Sequence, residues 1–195
     1  MLLDLLKDIP VVLGSQSPRR KDLLDKMGIQ SKVIVKETDE SFDAHLAPAA
    51  IVAHIAFQKL KAFDPVAFAD SLVITADTIV LHAGNILGKP QNKEEALATL
   101  RTLQGRSHQV LTAVALQYKE KQYSFVEVTA VHFAALSDAE LRYYVDKFMP
   151  LDKAGSYGIQ EWIGWIGVSS INGSYENVIG LPTARLYQEL KAIFA

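Results

Sequence analysis

Five short segments of this chain carry residue types that suit work on a polyanion. The first is Gly14-Ser15-Gln16-Ser17-Pro18-Arg19-Arg20. A strand running into a small polar loop and then a helix start leaves backbone N–H groups and the positive end of the helix dipole free for an anion. Arginines in a first helical turn run against the dipole preference for acids, so Arg19 and Arg20 there point to an external anion; the plain alternative is a capped helix with two solvated arginines. The segment lacks the P-loop pattern. The second is the acidic run Glu37, Asp39, Glu40, Asp43. Carboxylates are the oxygen donors that hard divalent cations prefer, although alone the run reads as a solvated loop. The third is Asp77, set among Ile74-Thr75-Ala76 and Thr78-Ile79-Val80. An acid in so apolar a strand is costly without a partner or a task. Asp77 can hold a metal, take a proton from water, or simply accept backbone amides. The fourth is Leu87-Gly88-Lys89-Pro90, a stiff turn that presents Lys89 as a point charge for phosphate or merely as a surface lysine. The fifth is Asp152-Lys153-Ala154-Gly155-Ser156-Tyr157-Gly158-Ile159-Gln160, a small-residue loop suited to lying against a ligand. The Gln160 amide offers a donor beside an acceptor, which matches the acceptor and donor on a uracil or thymine edge.

The elements that must position these segments alternate along the chain. Residues 10–14 read as a buried strand, and Ser17-Pro18 opens a helix that Gly28 stops. Residues 32–36 read as a strand, 46–63 as a helix and 72–81 as a strongly apolar strand. Asn92 with Glu95, and Ser137 with Glu140, are capping boxes that start two further helices. Two long β runs cover 108–118 and 122–134, Asn172-Gly173 signals a hairpin, and Pro182 starts a last helix. Trp162 and Trp165 lie in an apolar segment that reads as core or interface. The expected fold class is α/β, a mixed sheet flanked by helices.

Composition excludes several classes. At 195 residues, one domain spanning 1–195 is expected. A net charge of -2 argues against a non-specific binder of nucleic-acid polymers. There is no cysteine, which removes disulfides, thiolate catalysis and zinc–thiolate sites. The five histidines show no metal-ligand spacing and read as structural or surface residues. The N-terminus carries Asp4, Lys7 and Asp8 and is a poor secretory signal. No apolar run approaches the ~20 residues of a membrane span, so a soluble cytoplasmic protein is expected, without membrane partners.

Taken in order, Gly14 to Arg20, Ala76-Asp77-Thr78, Gly88-Lys89-Pro90, Gly105-Arg106-Ser107-His108-Gln109-Val110 and the 152–160 loop resemble the Maf family of nucleotide pyrophosphatases, over about residues 11–190. The resemblance implies hydrolysis of nucleoside triphosphates between the α and β phosphates, with a divalent cation (Mg2+ or Mn2+). It implies an elongated fold related to the inosine triphosphatase-like group, with the site in a cleft between two lobes, and it makes a homodimer plausible. Carried over, Asp77 matches the proposed catalytic acid, and Glu40, Lys59 and Lys89 match polar site positions. Arg19, Thr78 and Gln160 match positions that separate subfamilies and look like the branch acting on dTTP and UTP rather than 7-methyl-GTP. This chain departs at His54 and at Leu60, which leaves Lys59 or Lys61 to reach phosphate, and at Glu161, where glycine is frequent.

The expected site is therefore Asp77 for catalysis, Glu40 with Asp77 for metal, and Ser15, Arg19, Arg20, Lys59, Lys89, Thr78 and Gln160 for a small-molecule nucleotide. Two other readings stand beside it: a nucleotide-binding regulator of cell division, a role to which this family has been linked, and a pyrophosphatase for modified purine triphosphates.

Overall fold

The computed structural model describes residues 1–43 and 45–194. Its elements in chain order are α1 (Leu2–Leu6), β1 (Val11–Leu13), α2 (Pro18–Lys26), β2 (Lys32–Val33), α3 (Pro48–Lys61), β3 (Leu72–His82), β4 (Asn85–Leu87), α4 (Lys93–Leu103), β5 (Ser107–Tyr118), β6 (Lys121–Phe133), α5 (Asp138–Phe148), a 3-10 turn (Ala154–Ser156), α6 (Trp162–Gly167), β7 (Val168–Asn172), α7 (Tyr175–Ile179) and α8 (Thr183–Phe194). Among the described residues, seven strands form one sheet in the order β2-β1-β3-β5-β6-β7, with β4 beside β3. β1 runs parallel to β2 and to β3, whereas β3/β4 and β6/β7 are antiparallel. The mixed α/β class expected from the sequence is the one found. No helix among the described residues is long and apolar enough to cross a membrane.

The chain divides into two compact units. One comprises Met1–Asp77, Thr112–Glu127 and Gly180–Ala195; the other comprises Thr78–Leu111 and Val128–Ile179. In the first unit α1 packs on α8, burying Leu2 and Leu6 on one side and Leu186 and Leu190 on the other. In the second, α4 packs on α5 and on the 3-10 turn. Leu97, Leu100 and Leu103 of α4 join Leu141, Tyr144 and Val145 of α5 in a core that also holds Phe133, Tyr157, Ile159 and Ile163.

Local chemistry explains these elements. Asn92 caps α4 by accepting the Glu95 N–H at 2.9 Å, while the Glu95 carboxylate returns to the Gln91 N–H at 2.9 Å and so closes only half of the expected box. Ser137 and Glu140 complete theirs reciprocally at the head of α5. Ser17 stands at the N-cap of α2 but makes no side-chain cap bond; its own N–H is instead bound by Ser15 Oγ at 3.2 Å.

Two expectations fail for identifiable reasons, and a third is narrowed. β2 stops after Val33 instead of running to residue 36, because its partner β1 ends at Leu13 and the chain turns off into the Gly14-Ser15 loop. Asn172-Gly173 makes no hairpin. Ser174 Oγ accepts the Asn177 N–H at 3.1 Å and captures the chain into α7, while Gly173 (φ 130°) leaves no room for a side chain against Thr129. Trp165 is not core: it is 76% exposed, since Ile163, Gly164 and Gly167 form the inward face of α6. Trp162 is half-buried edge-on to Tyr143.

Candidate active site

In the first unit, β1 delivers Gly14 and Ser15 to the start of α2. Arg20 folds back over this loop. Its Nη1 donates to Ser15 Oγ at 2.9 Å and its Nε to the Gly180 carbonyl at 2.8 Å. Arg20 is buried, whereas Arg19, one residue earlier, is half-buried. Successive helix residues point about 100° apart, so the two arginines face different surroundings. Burial lowers the Arg20 guanidinium from its ordinary pKa and neighbouring Arg19 lowers it further, while the Asp77 and Glu40 carboxylates pull it back up. Arg20→Met keeps the apolar stem and removes both bonds, at an expected cost of about 2 kcal/mol. Thermal melting should then show a drop of roughly 4–8 °C; an unchanged midpoint would mean these bonds contribute nothing to stability.

The central feature of this unit is a lysine held by two acids. Lys59 Nζ lies 2.7 Å from Asp77 Oδ1 and 3.0 Å from Glu40 Oε1. The side chains of Lys59 and Asp77 are 17% and 16% exposed and that of Glu40 55%, so the pair inside is capped by a carboxylate facing solvent. The fold produces this arrangement simply. Alternate residues of a strand share a face, which puts Thr75 and Asp77 of β3 on one side. Fully buried Thr75 donates its hydroxyl to the Ala56 carbonyl of α3 at 2.8 Å. Lys59 is three residues on from Ala56, on the same face of that helix, and so meets Asp77. Lys61 lies nearly opposite on the helix, with its ammonium 5.0 Å above the Phe57 ring. Of the two lysines, Lys59 is therefore the one in the acidic cluster.

Within the acidic run, Asp39 accepts the Ser41 N–H at 2.8 Å and Asp43 the His45 N–H at 2.9 Å. These two shape the loop, and Glu40 is the member that reaches Lys59. Among the described residues no group of three or more His, Asp or Glu surrounds one point. Two carboxylates gripping one ammonium are nonetheless a hard-oxygen donor set of the size Mg2+ uses, because that ion takes one or two carboxylates and completes its shell with phosphate and water. Glu40 and Asp77 fit such an ion.

The second unit holds Thr78, Lys89 and Gln160. Thr78 is half-buried on β3 and Lys89 is exposed in the turn after β4. The Gly88 carbonyl accepts the Gly155 N–H at 3.2 Å, so the Lys89 turn and the 152–160 loop lie side by side. That loop contains two buried polar atoms without hydrogen-bond partners among the described residues, Ser156 Oγ and Gln160 Oε1. Ser156 also sits at φ 62°, in the left-handed region. Orphaned buried acceptors are uncommon, so these two set the loop apart from ordinary packing.

Sequence reasoning did not find the groups around Gln160. Tyr144 donates a short bond to Glu161 Oε2 and accepts the Gly158 N–H at 3.0 Å, and Lys153 Nζ reaches Glu161 Oε1 at 3.1 Å. Burial first, then the Glu161 carboxylate, push the Tyr144 hydroxyl well above its ordinary pKa, so it stays a donor. Lys153 and Glu161, charges at the two ends of a small-residue loop, are the available signal; Tyr144, an aromatic on a helix face, gives none. His108 is structural, as expected: it is buried, bonded to the Tyr157 hydroxyl at 2.7 Å, and lowered by burial to a pKa of about 4.

Comparison with known proteins identifies the family of the chain. The family model described as "Maf-like protein" matches residues 10–193. A Bacteroides thetaiotaomicron protein named dTTP/UTP pyrophosphatase is 49% identical, over 94% of this chain and 95% of that protein. A Parabacteroides distasonis protein of the same name is 48% identical, over 97% of this chain and 99% of its own. A solved structure of the Staphylococcus aureus Ham1 protein aligns at TM-score 0.49 and 17% identity, over 92% of this chain and 99% of that one. With a family match across nearly its whole length and relatives near half identity, this chain belongs to the Maf family.

Proposed function

We propose that this chain hydrolyses dTTP and UTP to the monophosphate and pyrophosphate, the span 1–195 acting as one catalytic domain. The observation that carries the reading is Lys59 gripped between Asp77 and Glu40, a cation and two acids at the end of a parallel strand pair, in a chain whose close relatives bear that activity in their names. Water attack on a triphosphate is opposed by the charge of the triphosphate itself. Asp77 takes the proton from the attacking water. Lys59, Lys89 and Arg19 offset the charge that grows on the departing pyrophosphate as the phosphoanhydride bond breaks. Ser15 and Arg20 shape the loop that receives the phosphates. A divalent cation, Mg2+ or Mn2+, when held by Glu40 and Asp77, supplies further neutralising charge at phosphate oxygens. Thr78 lines the nucleotide, and the Gln160 amide reads the uracil or thymine edge, with its unpartnered Oε1 receiving the ring N–H.

The test is a panel of UTP, dTTP, CTP, ATP and GTP with Mg2+ or Mn2+, scored by pyrophosphate and monophosphate formed. UTP and dTTP should lead. Preferred hydrolysis of a purine triphosphate would overturn the substrate assignment. Gln160→Glu replaces the amide donor by an acceptor, and leaving a buried polar group mispaired costs about 1–3 kcal/mol. The preference for UTP over CTP should fall roughly 10- to 100-fold. An unchanged profile would remove Gln160 from base recognition.

A further inference from the structure

Gln160 sits at the third position of a tight turn, Gly158-Ile159-Gln160-Glu161, closed by the Glu161 N–H donating to the Gly158 carbonyl at 3.0 Å. Both ends of that turn are attached to one side chain. The fully buried Tyr144 accepts the Gly158 N–H at 3.0 Å and donates to the Glu161 carboxylate. Glu161 is held from its other oxygen by Lys153 Nζ at 3.1 Å, and Lys153 is itself 9% exposed and bonded to Asp152 at 2.7 Å. The carboxyl lies directly over Gly158, where a Cβ would stand 2.7 Å from Glu161 Cδ. Between the two anchors Ile159 enters the core, so every residue of the turn but Gln160 has its side chain or backbone committed. Gln160 keeps a buried oxygen without a partner.

Such a network is an inefficient way to gain stability. Burying an ion pair and a hydroxyl costs desolvation that apolar packing would avoid, and the best-attested return on that cost is a fixed local geometry. An amide that must present one donor and one acceptor to a base edge needs that geometry, because small misplacements of a recognising group are expensive.

We infer that Tyr144, Glu161 and Lys153 are positioning residues that fix the Gln160 amide for pyrimidine recognition. This inference rests on the reading of Gln160 as the group that meets the base. Tyr144 touches no substrate; it acts through the turn it clamps.

The experiment measures kcat and KM for UTP and CTP in four purified proteins: the wild type, Tyr144→Phe, Gln160→Ala and the double variant. Tyr144→Phe keeps the ring and removes only the hydroxyl. It should lower the UTP-over-CTP ratio of kcat/KM by about 10-fold, mainly through the KM for UTP, on the scale expected for a displaced recognising group. In the double variant the ratio should equal that of Gln160→Ala alone, because a clamp with nothing to position has no further effect. If Gln160→Ala loses discrimination while Tyr144→Phe stays within about twofold of wild type, the clamp is wrong and the base reading survives. If the two losses simply multiply, Tyr144 acts independently of Gln160 and the inference fails. If Gln160→Ala itself keeps the wild-type ratio, the base reading falls and takes the clamp with it. Glu161→Gln, which keeps the volume but drops the charge facing Lys153, gives the same readout should Tyr144→Phe not fold.

Discussion

Asp77→Asn is expected to slow pyrophosphate release from UTP by about 1000-fold, within the range seen when a positioned general base is lost. The substitution is nearly isosteric, and the amide oxygen still accepts from Lys59, which remains paired with Glu40 at 3.0 Å. The variant should therefore fold. Its loss of stability should stay below about 2 kcal/mol, because the pair at Asp77 is neither fully buried nor the only partner of the lysine. A circular dichroism melt within roughly 8 °C of wild type, together with the lost turnover, would place the effect in the chemistry. Near-normal pyrophosphate release from a folded Asp77→Asn protein would take Asp77 out of the mechanism.

Lys59→Met carries two expected changes of opposite direction. Removing a preorganised cation from the developing charge of the leaving group should cost roughly 100-fold in turnover. At the same time, the ammonium that now lies between Glu40 and Asp77 is gone, and two carboxylates face each other without it. Such a pair attracts a hard cation more strongly. Titration with Mn2+ in the absence of nucleotide, followed calorimetrically, should show tighter binding than wild type. Retained turnover would contradict the role of Lys59 at phosphate. Weaker Mn2+ binding would contradict the assignment of the two carboxylates to the metal.

What was legible in the sequence follows the range of the forces involved. Asn92 with Glu95 and Ser137 with Glu140 are local, and the helices they start appear where their spacing predicts. The apolar run of β3 marked Asp77 as an anomaly before any partner was known. Its partner was not legible, because the choice between Lys59 and Lys61 depends on how α3 sits against β3, fixed by the bond from Thr75 to the Ala56 carbonyl. Asn172-Gly173 misled for a related reason: its turn preference lost to the cap that Ser174 supplies to α7. Trp165 lies outside the core because hydrophobicity alone does not say which face of a two-turn helix is inward. Tyr144 was hidden completely, since a buried aromatic on a helix face looks the same whether or not its hydroxyl holds a loop.

The most direct test of the whole account is the identity of the products when the unmodified protein meets UTP and Mg2+. Ion-exchange separation should show UMP and pyrophosphate rising in equal amounts as UTP disappears. UDP with inorganic phosphate, or UTP left intact, would contradict it.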